Sequence, residues 1–324
     1  MAIDNERLDR SRRFYEDGFS IGRLEITPDD FWGWLTILPV LGLYTLIALI
    51  PIAFAIVASF HSIHLLSPEW QFVGLQNYQK VFRIDEFWGS MWRGSVFMVG
   101  STLLQLVVGV WMALVINKIT RGGRILSTFV FTSYLIPTII VAMVFQFMLD
   151  PTDGVLHWLG VDKIGLWEGY LFGNTGTTLF GTVKLAMLAT VIISSWKFAA
   201  FVTLFTLAQL QSIPDRFYEA AKICGATTWE MFRDITLPRV WGAILVVVFL
   251  RAVFMFNKYD IIWQLTQGGP GVSTKTMPIL AYDTTFQTSA YGLGNAIAIV
   301  MFLFLMAGGI VYLSVLNPSQ EVET

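Results

Sequence analysis

Six long, nearly uncharged apolar stretches set the first limit on what this chain can fold into. Phe31 to Phe60, Trp92 to Ile116, Ile125 to Leu149, Thr182 to Leu210, Val240 to Leu265 and Ala296 to Leu316 are each long enough to cross a hydrocarbon layer roughly 30 Å thick, at about 1.5 Å of rise per helical residue. The 324 residues are 55% hydrophobic and 14% charged, and the charges gather between the apolar stretches. A water-soluble fold would have to cover all six, so the pattern predicts an all-α membrane protein of about six transmembrane helices. Pro39 and Pro51 in the first span and Pro137 in the third are compatible with that reading, because neighbouring helices can satisfy the carbonyls a proline frees. The fourth span is the least uniform, with Lys184 at its start and Trp196 and Lys197 within it.

Lysine and arginine counts in alternate loops predict the orientation. One set holds Arg7, Arg10, Arg12, Arg13, Arg23, Lys118, Arg121, Arg124, Arg216, Lys222, Arg233 and Arg239, twelve in all. The other holds Lys80, Arg83, Arg93, Lys163, Lys258 and Lys275, six in all. Both termini are therefore expected in the cytoplasm. Residues 1–30 form a charged cytoplasmic tail rather than a cleavable leader, residues 31–316 a membrane domain that includes a cytoplasmic loop at 211–239, and residues 317–324 a second tail.

Several classes of function are disfavoured. Cys224 is the single cysteine, which rules out an internal disulfide and a thiolate zinc site. The net charge of −2 comes with no basic patch for nucleic acid. GGPGVST at 268–274 has glycines but no lysine where a phosphate-binding loop needs one. His61, His64 and His157 are the only histidines, all in or beside loops on one side, and no third ligand accompanies the His61/His64 pair. No catalytic residue or metal site is assigned, and no cofactor is expected on this chain. No internal repeat of the kind that marks many secondary transporters is evident.

The loop reads PDRFYEAAKICGATTWEMFRDITLP from 214 to 238. Pro214 and Asp215 would start one short helix, Gly225 would supply a positive-φ bend, and Pro238 would close a second helix. Such a knob is either a docking feature or a structured connector.

Glu219, Ala220, Ala221, Gly225, Ile235, Leu237 and Pro238 resemble, at their spacing, the EAA loop of type I ABC importer permeases. LAQLQSIPDRFYEAA, FVGLQNY at Phe72 to Tyr78 and LTQGGPGVST at Leu265 to Thr274 resemble the carbohydrate branch, in particular the larger permease subunit of maltose/maltodextrin-type importers. The resemblance covers roughly residues 31–316. It implies that the seven loop residues couple to a separate ATPase that binds ATP and Mg. It also implies a second homologous permease, two ATPase subunits, an extracytoplasmic solute-binding protein and a sugar substrate, all in a lipid membrane. An importer for an anion or polyamine, or a secondary transporter needing no ATPase, are the alternatives.

Charges inside membrane helices mark a pathway or an internal pair. Arg251, Phe254, Met255 and Lys258 recur at i, i+3, i+4 and i+7 and are read as one stripe on the fifth span, and Trp196, Lys197 and Phe201 as a patch on the fourth. In the resembled subunit the corresponding helices line the sugar site, where aromatic faces stack on sugar rings and polar groups bond hydroxyls. Where Arg251 and Lys258 stand, the maltose subunit is mostly uncharged and polar. Two cations there point away from maltose, toward another sugar or an anionic one.

Overall fold

The computed structural model describes residues 19–21, 24–26, 28–64, 67–119, 122–149, 154–158, 178–180 and 183–316. The C-terminal tail 317–324, most of the N-terminal tail and most of the loop at 150–181 lie outside these residues, as do Arg7, Arg10, Arg12, Arg13, Arg23, Arg121 and Lys163 of the charge count. Two compact units divide at Ala58 and Ser59.

The first unit contains a small antiparallel hairpin, β1 (Phe19–Ile21) with β2 (Leu24–Ile26), inside the segment expected to be plain tail. The first span follows as α1 (Pro28–Tyr44) and α2 (Ile50–Ser59), joined by a π-helical turn over Thr45–Leu49. Pro39 sits inside α1. The widened turn lies one residue before Pro51 in α2, where a proline ring would otherwise crowd the preceding turn.

The second unit opens with a hairpin of β3 (His61–His64) and β4 (Ser67–Phe72) and a short amphipathic helix α3 (Gln76–Arg83). Its bundle is built from α4 (Asp85–Lys118), the pair α5 (Gly123–Leu135) and α6 (Thr138–Met148), α8 (Leu185–Gln211) and α14 (Tyr291–Leu316). Between them come α7 (Val155–Trp158), the short strands β5 (Thr178–Phe180) and β6 (Val183–Lys184), α9 (Arg216–Ile223), α10 (Thr228–Met231), α11 (Leu237–Phe256), α12 (Asp260–Thr266) and α13 (Met277–Tyr282). Among the described residues five helices are long and apolar enough to cross a membrane, or six if the bent pair α5–α6 is one span.

That pair changes the third span. Instead of one helix with a proline in its middle, the chain breaks at Ile136–Pro137 and turns by 90°. The fifth span ends earlier than its hydropathy suggests, and its helix begins earlier: it runs from Thr228 to Phe256, and the chain restarts as α12 at Asp260. Asn257 caps α11 by donating its backbone N–H toward Val253 and Met255, so the apolar residues Ile261, Ile262 and Leu265 belong to a separate buried helix.

Helices α4, α8 and α11 pack on one another. In a bilayer the lipid tails are as apolar as the protein interior, so close packing rather than water exclusion holds helices together. Gly109 shows how close this contact is. A Cβ built there would lie 2.6 Å from Val202 Cβ and 2.9 Å from the Ala199 carbonyl oxygen. Asn77 on α3 donates to the Ser59 and His61 carbonyl oxygens at 2.8 and 2.9 Å, which ties the β3–β4 hairpin to the bundle.

Candidate functional site

At one end of the bundle, α8 leads into an exposed knob made of α9 and α10. The main chain itself specifies the bend between them. Gly225 has φ of +79°, Ala226 N–H donates to the Ala221 carbonyl at 2.9 Å and Gly225 N–H to the Lys222 carbonyl at 3.0 Å. These two bonds satisfy carbonyls that the end of α9 would leave open, in the pattern of a Schellman cap. The next helix is opened reciprocally: Glu230 N–H donates to Thr227 Oγ1, and Thr227 N–H to Glu230 Oε2. This capping box was legible as T-x-x-E at 227–230 and was missed.

Glu219, Ala220 and Gly225 are exposed on the knob, and Ala221 is half-buried. Ile223 is 87% and Trp229 67% exposed, with the Trp229 and Phe232 rings 5.6 Å apart. Large apolar side chains in an otherwise polar loop were a signal for a protein-facing surface that sequence reasoning passed over. Ile235 turns the other way and packs on the bundle core beside Ile213 and Val240. Leu237 is half-buried. Pro238 does not close the second helix as expected. It stands in the first turn of α11, after a π-helical turn at Phe232–Thr236 that carries the chain past the proline and into the fifth span. Tyr218 and Thr236 hydroxyls meet at 3.0 Å, and the Arg239 guanidinium lies 3.7 Å from the centre of the Phe217 ring, so the knob is fixed to the start of that span.

Deeper in the bundle, three cations converge on Phe198. The Lys258 ammonium, the Arg251 guanidinium and the Lys197 ammonium lie 4.5, 4.9 and 5.4 Å from the centre of its ring. Arg251 is 3% and Lys197 2% exposed. Arg251 Nε donates to Gln105 Oε1 at 2.7 Å, while one terminal nitrogen faces the Met255 sulfur at 3.7 Å. Lys197 donates to the Tyr134 carbonyl at 3.1 Å and to the Ile136 carbonyl. Those carbonyls stand at the end of α5, where the break before Pro137 removes their helical partners and where a cation also meets the negative end of the helix dipole. Lys258 pairs with Asp260 at 3.0 Å.

The two sequence-read patches are therefore only partly assembled. Arg251, Met255, Lys258, Lys197 and Phe201 come together; the Arg251 guanidinium is also 5.4 Å from the Phe201 ring. Phe254 is 58% exposed on another face of α11, and Trp196, 50% exposed, stacks edge-on with Phe145. Lys258 lies beyond the end of α11, so it reaches Phe198 from a turn and not from a helical stripe. Gln105, Tyr134 and Phe198 are additional members. Gln105 carried a signal, a polar side chain in the middle of an apolar span.

Phe198, Phe201 and Phe205 lie along one face of α8, with Phe201 and Phe205 rings 4.6 Å apart and Tyr134 6.2 Å from both Phe198 and Phe201. A cavity of about 1080 Å³ lies away from the cations, none of which lines it. It opens between α4, α5 and α8 toward the knob end, where Phe205, Phe131 and Leu204 line it and Arg124 and Gln211 also face it. The aromatic series joins the cation layer to this space.

Residues 105–317 match the family described as the binding-protein-dependent transport system inner membrane component. The chain is 35% identical over 283 residues to the trehalose/maltose transport system permease protein of Thermococcus litoralis, covering 87% of this chain and 92% of that protein. It is 28% identical to the sulfoquinovosyl glycerol transport system permease protein of Agrobacterium fabrum, covering 98% of this chain and 97% of that one. Its fold matches a chain in the crystal structure of a bacterial alginate ABC transporter in complex with an alginate pentasaccharide-bound periplasmic protein, with a TM-score of 0.72 at 22% identity over 88% of this chain and 93% of that chain. With six apolar segments and a family match over most of its length, the chain belongs to the inner membrane components of binding-protein-dependent transport systems and is a multi-pass membrane subunit.

Proposed function

We propose that this chain is the permease subunit of an ATP-driven importer for a carbohydrate. The observation that carries the reading is the aromatic face of α8. Phe198, Phe201 and Phe205, with Tyr134 beside them, connect a polar layer in the membrane to an open cavity at the knob end. Aromatic rings suit the apolar faces of sugar rings, and polar groups at one end suit hydroxyls. Relatives named for trehalose/maltose, starch degradation products and diacetylchitobiose support the same class of solute.

In this reading Arg251, Met255, Lys258, Lys197 and Phe201 line or support the path. A second homologous permease completes it, and an extracytoplasmic binding protein delivers the solute. The knob couples to ATP hydrolysis on two partner subunits that bind ATP and Mg. Glu219, Ala220, Ala221 and Gly225 shape the docking surface, Ile223 and Trp229 add apolar contact, and Ile235, Leu237 and Pro238 join the knob to the fifth span. Both termini and the knob face the cytoplasm.

Two measurements test this. Cys224 is exposed and is the single cysteine, so a membrane-impermeant maleimide should label it in inverted vesicles and not in intact cells; the reverse would overturn the orientation. Deleting the chain should abolish ATP-dependent uptake of at least one labelled carbohydrate, with restoration on complementation. Unchanged uptake of every carbohydrate the host imports would overturn the function.

A further inference from the structure

We propose that the solute carries an oxyanion, a carboxylate, sulfonate or phosphate on the sugar, and that Arg251 and Lys258 receive it at the Phe198 ring. This rests on the carbohydrate reading of the same path and narrows its substrate class.

The argument is one of unmatched charge. Three cations surround one ring, and the carboxylate paired within the layer is Asp260, on Lys258 at 3.0 Å. Among the described residues no carboxylate pairs with Arg251 or Lys197. Lys197 has an explanation of its own, since it donates to the Tyr134 and Ile136 carbonyls at the broken end of α5. Arg251 does not. Its acceptors among the described residues are Gln105 Oε1 and, weakly, the Met255 sulfur, which leaves the other guanidinium N–H groups without an acceptor there. A ring face attracts a cation but accepts no strong hydrogen bond and removes no net charge. A cation buried at membrane depth without a counter-charge is costly, and a guanidinium presents a planar fork that fits two oxygens of one oxyanion.

The layer is also placed to sort solutes. Lys258 is 19% exposed in its side chain and reaches the same ring as Arg251. An anionic group can therefore meet Lys258 first and Arg251 next while its sugar ring lies on Phe201 and Phe205, the more accessible part of the aromatic face; Phe198 itself is buried under the cations. A neutral sugar would pass Arg251 without supplying the counter-charge it lacks among the described residues.

The test uses the complete transporter in cells lacking the chromosomal copy of this chain. Labelled trehalose and maltose would be compared with a glucuronate-containing disaccharide, a sulfonated glycoside and a sugar phosphate, in the presence of wild type, Arg251→Gln, Arg251→Lys and Lys258→Met. At least one acidic sugar should be taken up, at least tenfold faster than the neutral ones. Arg251→Gln should lower that uptake more than tenfold and Lys258→Met severalfold, at unchanged membrane abundance, and Arg251→Lys should retain a larger share than Arg251→Gln. Rapid uptake of a neutral sugar that Arg251→Gln and Lys258→Met leave unchanged would overturn the proposal while leaving the carbohydrate reading in place. Loss of co-purification with the second permease in both Arg251→Gln and Lys258→Met would assign these cations to an ion pair across the subunit interface and would also overturn it. Transport of no carbohydrate of either kind would remove the broader reading as well.

Discussion

The bend at Gly225 and the cation layer around Phe198 differ in how far along the chain their parts lie. Near neighbours in sequence shape the bend, Ala226 with Ala221 and Thr227 with Glu230. The cation layer joins Arg251 to Gln105 across 146 positions and Lys197 to the Tyr134 carbonyl across 63. The bend can form as soon as its own residues are made, and it stands in the open. The layer exists only after α4, α8 and α11 have packed and α5 has broken away from α6. One region should tolerate changes in its surroundings and be sensitive to backbone chemistry, and the other should behave in the opposite way.

Two glycines separate these cases most sharply. Gly109 lies one turn from Gln105 on α4, where a Cβ would meet Val202 and the Ala199 carbonyl at under 3 Å. Overpacking of this kind costs about 1–3 kcal/mol, and the backbone contact leaves little room to relax. Gly109→Leu should therefore lower the amount of folded protein in the membrane and its melting temperature in detergent, the largest stability effect of the series. Normal abundance and melting would mean that the α4–α8 contact is looser than these distances imply.

A Cβ at Gly225 would meet nothing within 4 Å, but φ there is +79°. The cost of a side chain is therefore conformational, about 1–2 kcal/mol and higher for a β-branched residue. Gly225→Val should abolish ATP-dependent uptake while membrane abundance and melting stay near wild type, with weaker co-purification of the ATPase. Wild-type uptake would reduce the knob to a connector. Ala221→Trp tests the docking face in the same assay without straining the main chain.

The smallest effect should come from the capping box. Thr227→Ala removes the side-chain acceptor of the Glu230 N–H, a loss of about 0.5–2 kcal/mol. Uptake should fall partially, and Thr227→Ser, which restores the acceptor, should recover it. Equal uptake in Thr227→Ala and wild type would show that the Gly225 turn sets the bend by itself.

By itself the sequence determined the features that depend on neighbours along the chain. Apolar length defined the spans, since a helix must satisfy its own backbone in lipid. Gly225 defined the bend because few other residues adopt its conformation at low cost, and the spacing around Glu219 to Pro238 identified the family now supported by the match over residues 105–317. Pro137 marked a weak point in the third span but did not fix a 90° turn. That angle depends on what takes up the freed carbonyls, and Lys197 on α8 does so. Residue spacing also placed Phe254 with Arg251, yet α11 buries Arg251 and Met255 and exposes Phe254. A periodic pattern gives relative angles on one helix, while the packing of α4 and α8 against α11 decides which of those angles faces inward. The gathering of three cations on Phe198 was decided the same way, by contacts between helices whose partners the linear sequence leaves open.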